Sequence, residues 1–193
     1  MMKDVLLIGA GGHCKSCIDV IEQIVGWRIA GIVDRKDSGT RDVMGYPVVG
    51  CDEDLSLLRG EYEYAFLTMG QIRSAEIKVS LFNQLKSLGF TLPVFISPLA
   101  YVSKNASIGE GSIVMHHALV NVAATIGSNC IINSKALIEH DVSVGDNCHI
   151  ATAAVINGGV VIGEQTFVGS NSVVKQAINI PPRAFIKAGT LMK

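Results

Sequence analysis

From Ile96 to Ile186 every sixth residue is isoleucine or valine: Ile96, Val102, Ile108, Val114, Val120, Ile126, Ile132, Ile138, Val144, Ile150, Ile156, Ile162, Val168, Val174, Ile180 and Ile186. No insertion breaks the register, and chance does not produce such a run. It predicts a left-handed parallel β-helix of hexapeptide repeats over residues 96–193. A second rhythm marks the size of one coil. Ile108-Gly109, Ile126-Gly127, Val144-Gly145 and Ile162-Gly163 recur every 18 residues, so a coil is three hexapeptides and has three sides.

Two positions before each aliphatic the residue is mostly small: Ala100, Ala106, Ser112, Ala118, Ala124, Cys130, Ala136, Cys148 and Ala154. Small side chains suit the crowded inner corners of a narrow prism. Three residues after the aliphatic in the glycine-marked hexapeptides stand Gly111, Asn129, Asn147 and Gln165. Glycine and asparagine adopt positive φ at little cost, as tight corners require. A single repeat cannot bury its own apolar face, so stacking of coils is the source of stability. Composition agrees: the chain is 49% hydrophobic but only 6% aromatic, a core of small and β-branched side chains.

Residues 1–95 follow a different pattern. Val5 to Ile8 reads as a strand entering the turn Gly9-Ala10-Gly11-Gly12-His13, followed by a helix over about 15–24. Strands are expected over 29–33, 64–68 and 91–96, and a helix over 74–88. That order predicts a small α/β, Rossmann-like domain. The turn lacks the third glycine of a full dinucleotide fingerprint, since Cys14 occupies it, so a nucleotide of another kind is the better expectation. Amides at Gly11, Gly12 and His13 opening a helix would approach a phosphate, and Asp34, ending the second strand, would accept hydrogen bonds from a ribose or base edge.

Net charge of −1 excludes bulk electrostatic attraction to nucleic acid or an anionic membrane. No signal peptide or membrane span is read in the sequence, and a soluble cytoplasmic protein is expected. The five cysteines are an odd set without a disulfide spacing, and Cys14 and Cys17 read as core residues of a helix. His116 and His117 are sequence neighbours that cannot both face one ion, so no metal is expected. Of the remaining histidines, His140 is followed by Asp141, a pair that would serve as a general base with its orienting carboxylate. His149 lies half a coil further on, so it belongs to another side of the prism.

Four stretches carry a resemblance. They are Gly9-Ala10-Gly11-Gly12-His13, Val33-Asp34, Met69-Gly70 and the run Asn133-Ser134-Lys135-Ala136-Leu137-Ile138-Glu139-His140-Asp141. In these the chain resembles the hexapeptide sugar acetyltransferases typified by the bacillosamine-pathway UDP-4-amino-sugar N-acetyltransferase and the sialic acid O-acetyltransferases. The resemblance implies His140 as catalytic base supported by Asp141, which stands where many relatives have glutamate. It implies Asn133 and Gly70 on the acceptor side, beside Gly11, Gly12, His13 and Asp34. It also implies His149, Gly158, Ser170 and Ala188 along acetyl-CoA, the co-substrate, and a homotrimer with active sites between subunits. The acceptor it implies is a nucleotide sugar, N-acetylated for surface glycan. A sialic acid acceptor and a non-catalytic sugar-nucleotide-binding regulator are the alternatives.

Overall fold

The computed structural model describes residues 2–193, which divide into two compact units. The first comprises residues 2–70 and 76–93, the second residues 71–75 and 94–193.

In the first unit β1 (Lys3–Ile8), α1 (Gly12–Glu22) and β2 (Trp27–Asp34) are followed by a short hairpin of β3 (Asp42–Val43) and β4 (Tyr46–Cys51). A short α2 (Leu55–Leu58), β5 (Tyr64–Leu67) and α3 (Glu76–Ser87) complete it. The sheet order is β3-β4-β2-β1-β5, parallel except for β3. β1 is the pivot: the chain runs from it to β2 on one side and reaches β5 on the other. In open parallel sheets ligands bind beyond the strand ends at such a reversal. α1 starts at Gly12, three residues earlier than the pattern suggested, because Gly11 serves as N-cap. Its Cys14, Cys17, Ile18 and Ile21 fall at the i, i+3, i+4, i+7 spacing of one helix face and are buried.

The strand expected over 91–96 divides. Thr91 makes a single bridge to Tyr64, whereas Phe95–Ile96 opens the β-helix by pairing with Ile113–Val114. Pro93, lacking an N–H, lies between the two.

The second unit is the left-handed β-helix, with three parallel sheets of six, six and five strands. Face one carries Phe95–Ile96, Ile113–Val114, Ile131–Ile132, His149–Ile150, Phe167–Val168 and Phe185–Ile186. Face two carries Tyr101–Val102, Leu119–Val120, Leu137–Ile138, Val155–Ile156, Val173–Val174 and Leu191–Met192. Face three carries Ser107–Ile108, Thr125–Ile126, Ser143–Val144, Val161–Ile162 and Asn179–Ile180. From Val114 to Ile186 the second residue of each strand points inward and is buried. Each such side chain contributes roughly 1.5–3 kcal/mol.

The corners explain the rest of the repeat. Positive φ recurs at the expected Gly111, Asn129, Asn147 and Gln165, and also at Ala123, Lys135, Asp141, Ala153 and Ala177. The stacked coils impose this conformation even on alanine and lysine, against a cost of about 1–2 kcal/mol per residue. At the corner after face three the glycines are obligatory. A Cβ at Gly109 would stand 2.6 Å from the Gly127 carbonyl carbon, and one at Gly145 would stand 2.7 Å from the Glu164 nitrogen.

Inside that same corner Ser112, Cys130, Cys148 and Thr166 form a column bridging the coils. The Ser112 hydroxyl donates to Gly127 O and accepts from Cys130 N, and the Cys130 thiol donates to Gly145 O. Cys148 and Thr166 donate in the same way to Gly163 O and Pro181 O. Burial raises the Cys14 and Cys17 thiols, against a lowering hydrogen bond from Thr68 at Cys14 and the charge of Lys78 at Cys17. Cys14, Cys17, Cys130 and Cys148 are all buried packing groups, whereas Cys51 is partly exposed. Iodoacetamide should alkylate Cys51 alone in the native protein and all five cysteines after denaturation. A second adduct on the native protein by intact mass would contradict this assignment.

Candidate active site

In the first unit the turn after β1 is shaped by contact with the end of β5. Gly9 has φ +107°, and a Cβ there would stand 2.7 Å from Met69 Cγ. The buried Thr68 hydroxyl donates to Gly9 O at 2.5 Å, and Gly9 N donates to Val33 O. Ala10 N donates to Asp34 Oδ1 at 3.3 Å, so Asp34 holds the turn with one carboxylate oxygen. Gly11 and Gly12 have open space where a Cβ would be, and α1 has no side-chain cap and no acidic residue in its first turn. Uncapped amides at a helix N-terminus favour an anion. A Cβ on Gly70 would lie 3.7 Å from the Cβ of His13. The structure thus gathers Gly11, Gly12, His13, Asp34 and Gly70 around the ends of β1, β2 and β5. Asp52, which the sequence did not single out, lies near enough to Asp34 that burial first and that charge second raise its carboxyl.

In the β-helix the candidates occupy two corners. At the corner after face two, His140 Nδ1 lies 2.8 Å from Asp141 Oδ2, with both side chains at least half exposed. Asp141 takes the positive-φ corner position, a conformation that aspartate tolerates well. With Nδ1–H donated to the carboxylate, Nε2 is the ring nitrogen that keeps its lone pair. The main chain of His140 is held as well: its N–H donates to Glu139 Oε2, which also accepts from Asn121 Nδ2 at 2.8 Å. Asn121 and Glu139 are 18 residues apart, one coil, so the repeat itself stacks them.

Gly158 stands one coil beyond His140. A Cβ there would meet His140 Cε1 at 2.6 Å and Nε2 at 2.7 Å, so the ring occupies the space that glycine leaves. Among the described residues no acceptor takes the Gly158 N–H. In the rows before it the equivalent amides of Val122 and His140 donate to the side chains of Asn121 and Glu139.

The corner after face one holds Asn133, Ser170 and Ala188, and His149 lies on that face. Asn133 Oδ1 accepts from Ser134 N, and Asn133 Nδ2 lies 3.0 Å from His149 Nε2. His149 Nδ1 lies 2.6 Å from the main-chain oxygen of Gln71. At this corner the N–H groups of Thr152, Ser170 and Ala188, on successive coils, donate to no acceptor among the described residues. Such a row of donors, spaced at about 4.8 Å, offers successive sites to carbonyl acceptors. Gly158 is therefore separated from Ser170 and Ala188 by the width of face two. His116 Nδ1 bonds Ser97 Oγ at 2.6 Å, and among the described residues no cluster of three or more His, Cys, Asp or Glu could hold a metal ion.

A left-handed β-helix bearing an exposed His–carboxylate pair beside an uncommitted main-chain N–H defines a hexapeptide acyltransferase. Residues 4–85 match the PglD N-terminal domain family, 123–158 the bacterial transferase hexapeptide family and 159–191 the hexapeptide repeat of succinyl-transferase. The chain is similar to a mutant of perosamine N-acetyltransferase from Caulobacter crescentus solved with CoA and GDP-perosamine. Identity is 32% and TM-score 0.93, covering 100% of this chain and 90% of that one. It is also similar to the acetyltransferase domain of PglB from Neisseria gonorrhoeae FA1090 in complex with acetyl coenzyme A. There identity is 28% and TM-score 0.89, covering 100% of this chain and 93% of that one. No curated protein matches the chain. The chain belongs to the hexapeptide-repeat sugar acetyltransferases of the PglD and NeuD type, and it is an acetyltransferase.

Proposed function

We propose that this chain transfers the acetyl group of acetyl-CoA to the amine of a nucleotide-linked 4-amino sugar for bacterial surface glycan, with His140 as general base. The observation that carries the reading is His140 itself. Its Nδ1 is engaged by Asp141, its Nε2 would be available to take a proton, and its ring lies against a glycine whose N–H has no partner among the described residues.

Acetyl-CoA, when bound, supplies a thioester carbonyl. His140 Nε2 would remove the amine proton as the nitrogen forms its bond to the carbonyl carbon. The Gly158 N–H would receive the negative charge gathering on the carbonyl oxygen. As the C–S bond breaks, the imidazolium would return its proton to the departing sulfur. Asp141 would hold the ring in one tautomer and stabilise its charge. The free N–H groups of Ser170 and Ala188 would bind the pantetheine arm. Asn133 would contact the acceptor sugar, and Gly11, Gly12, His13, Asp34 and Gly70 would receive its nucleotide.

We also propose that catalysis requires neighbouring copies in a homotrimer. His140 and Gly158 stand on one corner of the prism, whereas Asn133, Ser170 and Ala188 stand on the next. Face two lies between those corners, and its outward row is Tyr101, Leu119, Leu137, Val155, Val173 and Leu191, every one apolar or aromatic. Face three presents Ser107, Thr125, Ser143, Val161 and Asn179 instead. Packing a second copy against face two would bring complementary corners together.

The chemistry is tested by following thiol release from acetyl-CoA with GDP- and UDP-linked 4-amino-4,6-dideoxy sugars and with free and activated sialic acid. Release with the nucleotide-linked amino sugars alone is expected. Release with sialic acid alone would reassign the protein to O-acetylation. Silence with every acceptor, despite nucleotide-sugar binding, would indicate a regulator.

A further inference from the structure

His149 lies on face one with 7% of its surface exposed, and both of its ring nitrogens have partners inside the second unit. Those partners fix its protonation. A main-chain carbonyl only accepts, so the 2.6 Å contact between Gln71 O and Nδ1 requires the proton on Nδ1. Nε2 of the neutral ring is then an acceptor. The group facing it must donate, and the Asn133 amide nitrogen does so at 3.0 Å. Asn133 Oδ1 is thereby turned to the Ser134 N–H, which it accepts at 2.7 Å. The bonds run in one direction, from Ser134 N–H through the Asn133 amide and the His149 ring to Gln71 O. Reversing any one of them sets two donors or two acceptors face to face.

The ring plane is constrained independently. Phe167, one coil on, meets the imidazole edge to face, with centroids 5.2 Å apart and planes at 80°. Phe167 in turn stacks on Phe185. Gln71 is itself buried at 3% exposure, within the five-residue segment 71–75 that belongs to this unit although the first unit surrounds it in sequence.

We infer that His149 is a positioning residue for the acceptor. Locked by Gln71 O as the neutral Nδ1–H tautomer, it aims the Asn133 amide so that the second Nδ2 hydrogen and the spare Oδ1 lone pair are presented to the acceptor sugar. With Nδ1–H given to Gln71 O and Nε2 accepting from the Asn133 amide, the ring has no N–H left to offer the thioester. This inference rests on the reading of Asn133 as an acceptor-side residue. The family resemblance placed His149 along acetyl-CoA, and the two roles predict different kinetics.

The test is a double-mutant cycle with His149→Phe, Asn133→Ala and the double variant, measuring separate KM values for acetyl-CoA and for GDP-perosamine or a UDP-linked 4-amino sugar. Phenylalanine keeps an aromatic ring in the column with Phe167 and Phe185 and removes both ring nitrogens. His149→Phe is expected to raise the acceptor KM about tenfold, the value of one oriented hydrogen bond, with the acetyl-CoA KM within about twofold of wild type. The double variant should be no worse than Asn133→Ala alone. In parallel, ¹⁵N spectra of the histidine rings in the wild-type protein should show, beside the ring of His140, a neutral ring protonated at Nδ1 whose signals vanish in His149→Phe.

A raised acetyl-CoA KM with an unchanged acceptor KM, additive effects in the double variant, or an Nε2–H tautomer would each overturn the inference. If Asn133→Ala leaves the acceptor KM unchanged, the assignment of Asn133 falls and the inference with it. If Asn133→Ala raises that KM but His149→Phe does not, the inference alone falls.

Discussion

Replacing His140 by alanine is expected to lower kcat by about two to four orders of magnitude while both KM values stay within a few fold, since a positioned general base contributes on that scale. The variant should fold normally, because the side chain is half exposed at a corner and not among the inward aliphatic residues. Gly158→Ala tests the same geometry without touching a titratable group. A Cβ at 2.6–2.7 Å from Cε1 and Nε2 must push the imidazole away from its place beside the Gly158 N–H. A displacement of about 1 Å in a catalytic group costs roughly a hundredfold in rate, so kcat should fall by about that factor with the acetyl-CoA KM little changed. Asp141→Asn separates the support from the base: the ring stays in place and the loss should be smaller than for His140→Ala. Steady-state thiol release with a nucleotide-linked amino sugar measures all three. Turnover by His140→Ala at the wild-type rate would remove the histidine from the chemistry.

The β-helix was legible because a coil of 18 residues with three strands must turn one aliphatic side chain inward on every side. Nothing in the helix relaxes that demand between Ile96 and Ile186. The His140–Asp141 pair was legible for a related reason. The two residues are sequence neighbours, and the corner between them brings the aspartate carboxylate to 2.8 Å, so the shorter side chain closes the contact. Glu139 and Asn121 were missed although the signal was present, since their separation of one coil already stacks their side chains. The His149 relay had no local signal. Its anchor, Gln71, is 78 residues away in sequence, and the five residues that bring it to face one carry no hexapeptide pattern. The β3–β4 hairpin was missed because its strands are short and Pro47 lies inside β4, which demotes the run as a strand. The division of residues 91–96 shows the complementary error, in which β-prone residues on both sides of Pro93 read as a single strand.

Mixing two impaired proteins should restore activity, measured at an acceptor concentration well below the KM of Asn133→Ala, if the active site is shared between subunits. In His140→Ala the corner with the base is lost while the Asn133 corner is intact, and in Asn133→Ala the reverse holds. Co-refolding or co-expressing the two in equal amounts would assemble trimers at random. About a quarter of the interfaces would then pair a native His140 from one copy with a native Asn133 from its neighbour, as expected for a cyclic arrangement of independent choices. Activity should rise to at least a quarter of the wild-type value, above that of either parent. A site built within one chain predicts no recovery, because no chain in the mixture carries both residues. The apolar row of face two supplies the structural control. Leu137 points outward from its strand and is half-buried in the single chain, so Leu137→Glu should leave the coil folded. Placed in a packed interface, the carboxylate would be taken out of water without a partner, a cost of several kcal/mol repeated at each contact. Light scattering behind size exclusion should find that variant monomeric, with unchanged circular dichroism and activity reduced at least a hundredfold. An unmixed Leu137→Glu protein that stays trimeric and active, or a mixture that recovers nothing, would place the site inside one prism. The two clusters would then have to act across the width of face two, a span of six residues or roughly 20 Å of extended chain, which no thioester and amine in bonding distance could bridge.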